Sequence, residues 1–197
     1  MVLNRITECA APNKRKPDLL HVRYLVIHRI SLAKKIDANP DPIKDDDLDA
    51  AALARVFRNK EMGTGGWVPY HLILNANGRC EQTMPLSCVG AHAKGYNSQS
   101  IAIAAIGDFR KHEPPITQMR PLSRECARLV MINRGLTIGG HTRDFPGSSA
   151  DEDKVCPGPF LSIPKLVQKV TERLPPDWRY RTDDEVASLL RLGGYTL

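Results

Sequence analysis

The sequence has no long apolar run and no long tract of one charge. No run approaches the ~20 residues of a membrane-spanning helix, and the first thirty residues show no signal-type apolar core followed by a small-residue cleavage site. The net charge is +6, but the longest basic tract is Lys14-Arg15-Lys16, and acidic runs at 45–47 and 151–153 interrupt the excess. We therefore expect a protein made in the cytoplasm without an evident export signal, with no membrane span and no nucleic-acid partner.

The sequence also lacks the short paired spacings of zinc fingers and of HExxH metalloproteases, because neither CxxC nor HExxH occurs. The cysteine count of five is odd. Nothing in the spacing of Cys9, Cys80, Cys88 and Cys126 demands a disulfide in a chain of this length, so we expect reduced thiols. A hairpin-like bridge between Cys80 and Cys88 is the alternative.

Three residues of the kind that bind metals stand where a loop meets an apolar strand or a turn. His28 closes the β-branched and aromatic run 22–27, His141 follows Gly139-Gly140, and Cys156 precedes a Pro-Gly turn. Two imidazoles and one thiolate leave the fourth corner of a zinc tetrahedron open, as in catalytic sites. Each residue alone could instead be a hydrogen-bonded structural histidine or a small buried cysteine. The set of three predicts a hydrolase.

The order of apolar runs and turns predicts an α/β fold with a single mixed sheet flanked by helices. We expect strands at 22–28, 69–75, 79–84, 100–106 and before His141, and helices near 47–60, 117–134 and 160–173. Asn77-Gly78 predicts a hairpin turn, and Pro121 is expected in the first turn of its helix. The domain is expected to span 22–174, with an N-terminal arm at 1–21 and a tail at 175–197 whose short helix packs on the domain or a partner.

Further motifs occur in a fixed order along the chain. They are GWVPYHLIL (66–74), NGR (77–79), VGAHAKGYN (89–97), SIAIA (100–104), GDF (107–109), GHTRD (140–144) and KVCPG (154–158). With His28 before them, this set resembles the zinc-dependent N-acetylmuramoyl-L-alanine amidases, a family that includes phage lysozymes of the amidase type, bacterial muropeptide amidases and animal peptidoglycan recognition proteins. The resemblance runs from about Val22 to about Val170, and an ordered set is far more specific than any single motif.

The resemblance implies that His28, His141 and Cys156 bind Zn²⁺, that Tyr70 lies beside the metal-bound water, and that Lys154 lies beside the scissile carbonyl. Zinc lowers the pKa of bound water from ~16 toward ~7, which would supply hydroxide at neutral pH. The Lys154 ammonium could stabilise the negative charge that then builds on the carbonyl oxygen. Without the flanking motifs, Tyr70 would be a strand residue with a hydrogen-bonded hydroxyl, and Lys154 a solvated loop charge.

Three further residues are candidates for the substrate groove. The resemblance places His92 and Asn97 in a segment that borders the stem peptide, and Trp67 could offer a flat face to a sugar or lactyl group. Simple loop chemistry and a partly buried anchor are the alternatives. His71 should point to the opposite face of its strand from Tyr70, which favours a role behind the ligands or in the core.

The resemblance implies hydrolysis of the amide between N-acetylmuramic acid and L-alanine in peptidoglycan, by an enzyme that reaches the cell wall after release or delivery. The alternative is a binding module that keeps the groove and uses any zinc structurally. Cys156 favours catalysis, because in this family loss of the cysteine abolishes catalysis while leaving the groove. The loop between His141 and Cys156 is longer than in the shortest phage members, which could alter access to the groove.

Overall fold

The computed structural model describes residues 4–5, 22–31, 53, 68–145 and 155–178. Its strands are β1 (Asn4–Arg5), β2 (Tyr24–Ile30), β3 (Leu72–Leu74), β4 (Cys80–Gln82), β5 (Ser100–Ile106) and β6 (Thr137–Gly140). They form one sheet in the order β1-β4-β3-β5-β2-β6. β3 and β4 are antiparallel, and the other neighbouring pairs are parallel. The predicted fold class, a single mixed sheet flanked by helices, is confirmed.

The two central strands explain how His28 is held. Every residue of β5 is buried, as expected for a parallel strand with neighbours on both sides. Side chains of β2 alternate between faces, so Leu25 and Ile27 enter the main hydrophobic core while His28 points to the other face of the sheet. Its neighbour in register on β5 is the small Ala104. His28 lies two residues before the end of β2, so the expectation that it closes the strand was wrong.

The helices with defined bounds are α1 (Ile116–Ile132), α2 (His141–Asp144) and α3 (Ile163–Thr171). The residues predicted to be buried in α1, namely Leu122, Cys126, Leu129 and Val130, all lie in the core. The Ser162 hydroxyl caps α3 by accepting from the Lys165 N–H, and Pro164 stands in its first turn, where the missing N–H costs least. Of the helix predicted near 47–60, the structure describes Leu53, which is helical and buried.

The prediction that Pro121 lies in the first turn of its helix was wrong. α1 begins at Ile116, so Pro121 lies inside the helix and not in its first turn. A proline there removes the hydrogen bond that would reach the Thr117 carbonyl. The hairpin turn covers this carbonyl, because a Cβ on Gly78 would overlap the Thr117 oxygen. Gly78 has a φ of 85°, so both its backbone conformation and its surroundings call for glycine.

The structure also tests the expectations for the cysteines, the hairpin strands and the C-terminal tail. Cys80, Cys88 and Cys126 are buried and unbridged, so the alternative of a Cys80–Cys88 disulfide is wrong, whereas Cys9 lies outside the described residues. The expected strands at 69–75 and 79–84 are shorter, which leaves Tyr70 in a bend before β3. Leu174 and Trp178 pack against the core, and the predicted tail helix lies outside the described residues. Across the described part of the chain, no helix has the length and apolar character to cross a membrane.

Candidate metal centre

The three predicted ligands meet at one end of β2 and β6. Ile27 is the register partner of Gly140 in this parallel pair, so the residues that follow, His28 and His141, emerge side by side. Their ring centroids are 4.3 Å apart. The Cys156 Sγ lies 3.8 Å from the His28 Nδ1. One ligand atom from each of the three residues can be chosen so that all lie within 4.8 Å of one another.

The Cys156 loop is bound to the start of α2. The Thr142 hydroxyl accepts from the Cys156 N–H at 2.8 Å, and the Thr142 N–H donates to the Cys156 carbonyl at 3.0 Å. Gly140 permits this approach, because a Cβ there would stand 2.9 Å from the Pro157 Cδ. Sequence reasoning gave Thr142 no role, although its place directly after a candidate ligand was a signal.

Arg29 supports the sulfur from the other side. Its backbone N–H points at the Cys156 Sγ at 3.4 Å, and its guanidinium donates to the Val155 carbonyl at 3.1 Å. Asp108 holds that guanidinium at 3.4 Å and also pairs with Arg110 at 2.7 Å. The hydrogen bond from Arg110 lowers the pKa of Asp108 to about 2. Arg29 was not predicted as a site residue, because its partners lie more than seventy positions away in sequence.

The electrostatics suit neutral imidazole ligands. Burial lowers the pKa of His28 well below its usual value, and the neighbouring His92, His141 and His71 lower it further. Burial also lowers the pKa of His141. Both rings therefore keep a lone pair at neutral pH, as metal ligation requires.

The donor set fits a zinc ion. The His141 Nε2 is buried and has no hydrogen-bond partner among the residues that the structure describes, although buried polar atoms normally have one. Burial raises the pKa of Cys156 to about 11, opposed by Arg29. A divalent cation beside the sulfur would favour the thiolate. Two neutral imidazoles and one thiolate are ligands that zinc prefers.

Tyr70 lies next to this cluster, with its ring centroid 5.0 Å from that of His28. Burial, and then the charge of Cys156, raise the pKa of its phenol above the usual value. The phenol therefore stays protonated at neutral pH and can donate a hydrogen bond, but the shift works against its acting as a base.

The candidate groove residues are placed differently from one another. His92 is buried behind His28, with its Nδ1 3.2 Å from the His28 Nε2. The Asn97 Oδ1 accepts from the N–H groups of His92 and Ala93, at 2.9 and 2.8 Å. His71 is fully buried, in agreement with a core role. Trp67 and Lys154 lie outside the described residues.

Comparison with known proteins agrees with this geometry. Residues 18–159 match the sequence profile of N-acetylmuramoyl-L-alanine amidases. The chain belongs to this amidase family. The match covers most of the chain and includes His28, His141 and Cys156.

Individual relatives agree with this assignment. The amidase-family chain is 26% identical to a peptidoglycan-recognition protein of Drosophila melanogaster over 162 residues, 81% of this chain and 82% of that protein. It is 32% identical to the endolysin of Escherichia phage T7 over 99 residues, 47% of this chain and 61% of the endolysin. Its fold is similar to that of the N-acetylmuramoyl-L-alanine amidase LysC from Clostridium intestinale URNW, with a TM-score of 0.59 at 17% identity, covering 87% and 97% of the two chains.

Proposed function

We propose that this amidase-family chain is a zinc-dependent enzyme that hydrolyses the amide between N-acetylmuramic acid and L-alanine in peptidoglycan. The observation that carries the proposal is the cluster of His28, His141 and Cys156, whose ligand atoms lie within 4.8 Å of one another. A three-residue donor set with a position left for water or substrate is typical of catalytic zinc. When bound, zinc acidifies water and polarises a carbonyl group.

The chain's own groups have separate tasks in this proposal. His28 and His141 offer neutral imidazoles, and Arg29 steadies the sulfur of Cys156. Tyr70 donates a hydrogen bond from its neutral phenol and orients the groups that react. Lys154 stabilises negative charge on the substrate carbonyl oxygen. Donors of this kind typically lower the free energy of the transition state by a few kcal/mol.

Peptidoglycan is the proposed substrate because the family name, N-acetylmuramoyl-L-alanine amidase, specifies an amide bond of peptidoglycan. In addition, one relative is an endolysin and another is a peptidoglycan-recognition protein. We place the catalytic unit at residues 22–174. The positive net charge of +6 would favour approach to an anionic cell wall by a long-range attraction that salt weakens. The enzyme acts on the wall after its release or delivery.

A second function is a binding module without turnover. The similarity to the Drosophila melanogaster peptidoglycan-recognition protein over 81% of the chain is the observation that favours it. Such a module would hold a wall fragment in the same groove, and the metal would only stabilise the loops that carry its ligands.

The experiment measures the release, from purified peptidoglycan, of stem peptides that have a free L-alanine amino terminus. If the protein is a zinc enzyme, a chelator should abolish the release of these peptides and added zinc should restore it. Cys156→Ser should reduce release to background, whereas His112→Leu, at an exposed histidine, should release as much as the wild type. Absence of release by folded, zinc-loaded protein would contradict the enzymatic function and favour the binding module.

A further inference from the structure

A chain of hydrogen bonds runs from a backbone carbonyl to the candidate ligand His28. The Ser100 hydroxyl lies 2.7 Å from the Tyr96 carbonyl oxygen and 3.3 Å from the His92 Nε2. The other nitrogen of the same ring, His92 Nδ1, lies 3.2 Å from the His28 Nε2. Ser100, His92 and His28 are all buried, where polar atoms normally have hydrogen-bond partners.

The far end of this chain fixes the direction of every proton. A carbonyl oxygen can only accept, so the Ser100 hydroxyl gives its single proton to Tyr96, in agreement with the shorter of its two distances. Ser100 must then accept from the His92 Nε2–H. A neutral imidazole carries one proton, so the His92 Nδ1 accepts, and the His28 Nε2 donates to it. The lone pair of His28 is therefore on Nδ1, the atom that faces the Cys156 sulfur at 3.8 Å.

The opposite arrangement is unfavourable. If His28 carried its proton on Nδ1, the His92 Nδ1 would have to donate and Ser100 would have to turn its proton toward the His92 Nε2. The bond from Ser100 to the Tyr96 carbonyl would then be lost. The carbonyl would keep its bond from the Gln99 N–H at 3.0 Å, so the typical net cost is about 0.5–1.5 kcal/mol. His28 would also direct an N–H, and no lone pair, toward Cys156.

The loop that carries His92 is itself fixed. The Asn97 side chain accepts from two consecutive N–H groups of this loop, at residues 92 and 93. Gly90 lies so close to the ring that a Cβ there would stand 2.7 Å from the His92 Cδ2. Asn97 therefore fixes the backbone that carries the imidazole, and the lack of a side chain at Gly90 leaves room for the ring.

We propose that His92 is a positioning residue, which, held by Ser100 and Asn97, keeps the proton of His28 on Nε2 and so presents the Nδ1 lone pair to the metal. This inference rests on the proposed zinc site, but it concerns the ligand's tautomer and not the reaction. It assigns His92 and Asn97 to the support of a ligand, in place of the contact with substrate expected from the sequence. Hydrogen bonds of this kind to ligating histidines typically change metal affinity by about 10- to 100-fold.

The test measures zinc affinity by competition with a chromophoric chelator, which needs no substrate. His92→Leu removes the acceptor and should weaken zinc binding by about 10- to 100-fold. His92→Asn keeps an acceptor near the position of Nδ1 and should restore the affinity to within a few-fold of wild type. His112→Leu makes the same chemical change at an exposed histidine and should have no effect. Equal affinities of the wild type and His92→Leu, or of the Leu and Asn variants, would overturn the proposal.

Nitrogen-15 NMR of the zinc-free protein reports which ring nitrogen of His28 carries the proton, a property that would not change if His92 only filled space in the core. His28 should be protonated on Nε2 in the wild type and should lose this preference in His92→Leu. If that variant does not fold, Ser100→Ala makes the same test with a smaller change, and should shift His28 toward a mixture of tautomers. An Nδ1–H signal for His28 in the wild type would contradict the proposal. Tight zinc binding without release of stem peptides that begin with L-alanine would contradict the proposed function alone.

Discussion

His71, which is fully buried, and His141, which is half-buried, differ in how their ring nitrogens are satisfied. The His71 Nδ1 accepts from the Ala102 N–H at 3.0 Å, and its Nε2 donates to the Cys88 carbonyl at 3.0 Å. The His141 Nε2 is buried with no such partner among the residues that the structure describes. Because a buried polar atom without a partner is costly, the second pattern calls for a ligand and the first does not.

Hydrogen bonding separates structural from functional histidines in this domain. Both are close to the sheet, and His71 is the more deeply buried of the two. This difference in burial alone does not show which ring needs a ligand. The distribution of hydrogen bonds does, and it predicts opposite results when each ring is removed.

His141→Ala tests the functional side and should have the largest effect. Removing one of three donors should cost on the order of 4 kcal/mol of zinc binding, or about a thousandfold in affinity. The unfolding free energy of the zinc-free variant should change little, because the His141 Nε2 has no hydrogen-bond partner within the described ranges that its removal would leave unpaired. Chelator competition and urea unfolding measure the two quantities. A large loss of stability without zinc would contradict the contrast.

His71→Leu tests the structural side. It leaves the Ala102 N–H and the Cys88 carbonyl buried without their partner, which should lower the unfolding free energy of the zinc-free protein by about 2–4 kcal/mol. Zinc affinity of the folded variant should stay within a few-fold of wild type. His112→Leu is the matched control in the same urea titration. A thousandfold loss of zinc affinity in His71→Leu would erase the distinction between the two histidines.

Gly140→Ala should move the ligand Cys156 without removing it. The added Cβ would stand 2.9 Å from the Pro157 Cδ and 3.4 Å from the Ile163 Cγ1, so the Cys156 loop must shift. We expect a loss of about 1–3 kcal/mol in unfolding free energy together with weaker zinc binding. Gly135→Ala, where the nearest atom is an Asn133 side-chain oxygen at 3.4 Å, is the control. Unchanged zinc affinity in Gly140→Ala would show that the loop position is unimportant.

Asp108→Asn tests the ion pair between Asp108 and Arg29, the residue whose N–H points at the Cys156 sulfur, and should have the smallest effect. The pKa of Asp108 is lowered to about 2 by its bond from Arg110, below the unfolded value of ~3.9, so its contribution is present above ~4 and is lost as pH falls toward 2. We expect Asp108→Asn to be less stable by on the order of 1 kcal/mol at pH 7, since the group is close to solvent, and to converge with wild type near pH 2.

Urea titrations of the zinc-free proteins from pH 7 to pH 2 measure this effect. Asp177→Asn makes the same change at an exposed position and is the control for the loss of one carboxylate. A constant difference between Asp108→Asn and the wild type down to pH 2 would exclude ionisation of Asp108 as the cause.

The sequence predicts the elements that carry the ligands, because local hydrophobic patterns and turn residues determine them. β5 begins and ends where its apolar run predicts, and α1 buries the predicted face. The contacts behind the ligands could not be predicted in the same way. His92 lies 64 positions from His28, and Arg29 lies 126 positions from Val155, so these pairs depend on register and side-chain rotamers across the fold. The error at Pro121 has the same origin, because a turn distant in sequence covers the carbonyl that the proline leaves free.

We propose that His28, His141 and Cys156 hold zinc together, and X-ray absorption at the zinc edge of the stoichiometrically loaded protein tests this. We expect a first coordination shell with one sulfur and two imidazole nitrogens, and loss of the sulfur in Cys156→Ser. A sulfur-free shell in the wild type, or a failure of the folded protein to bind zinc, would contradict it.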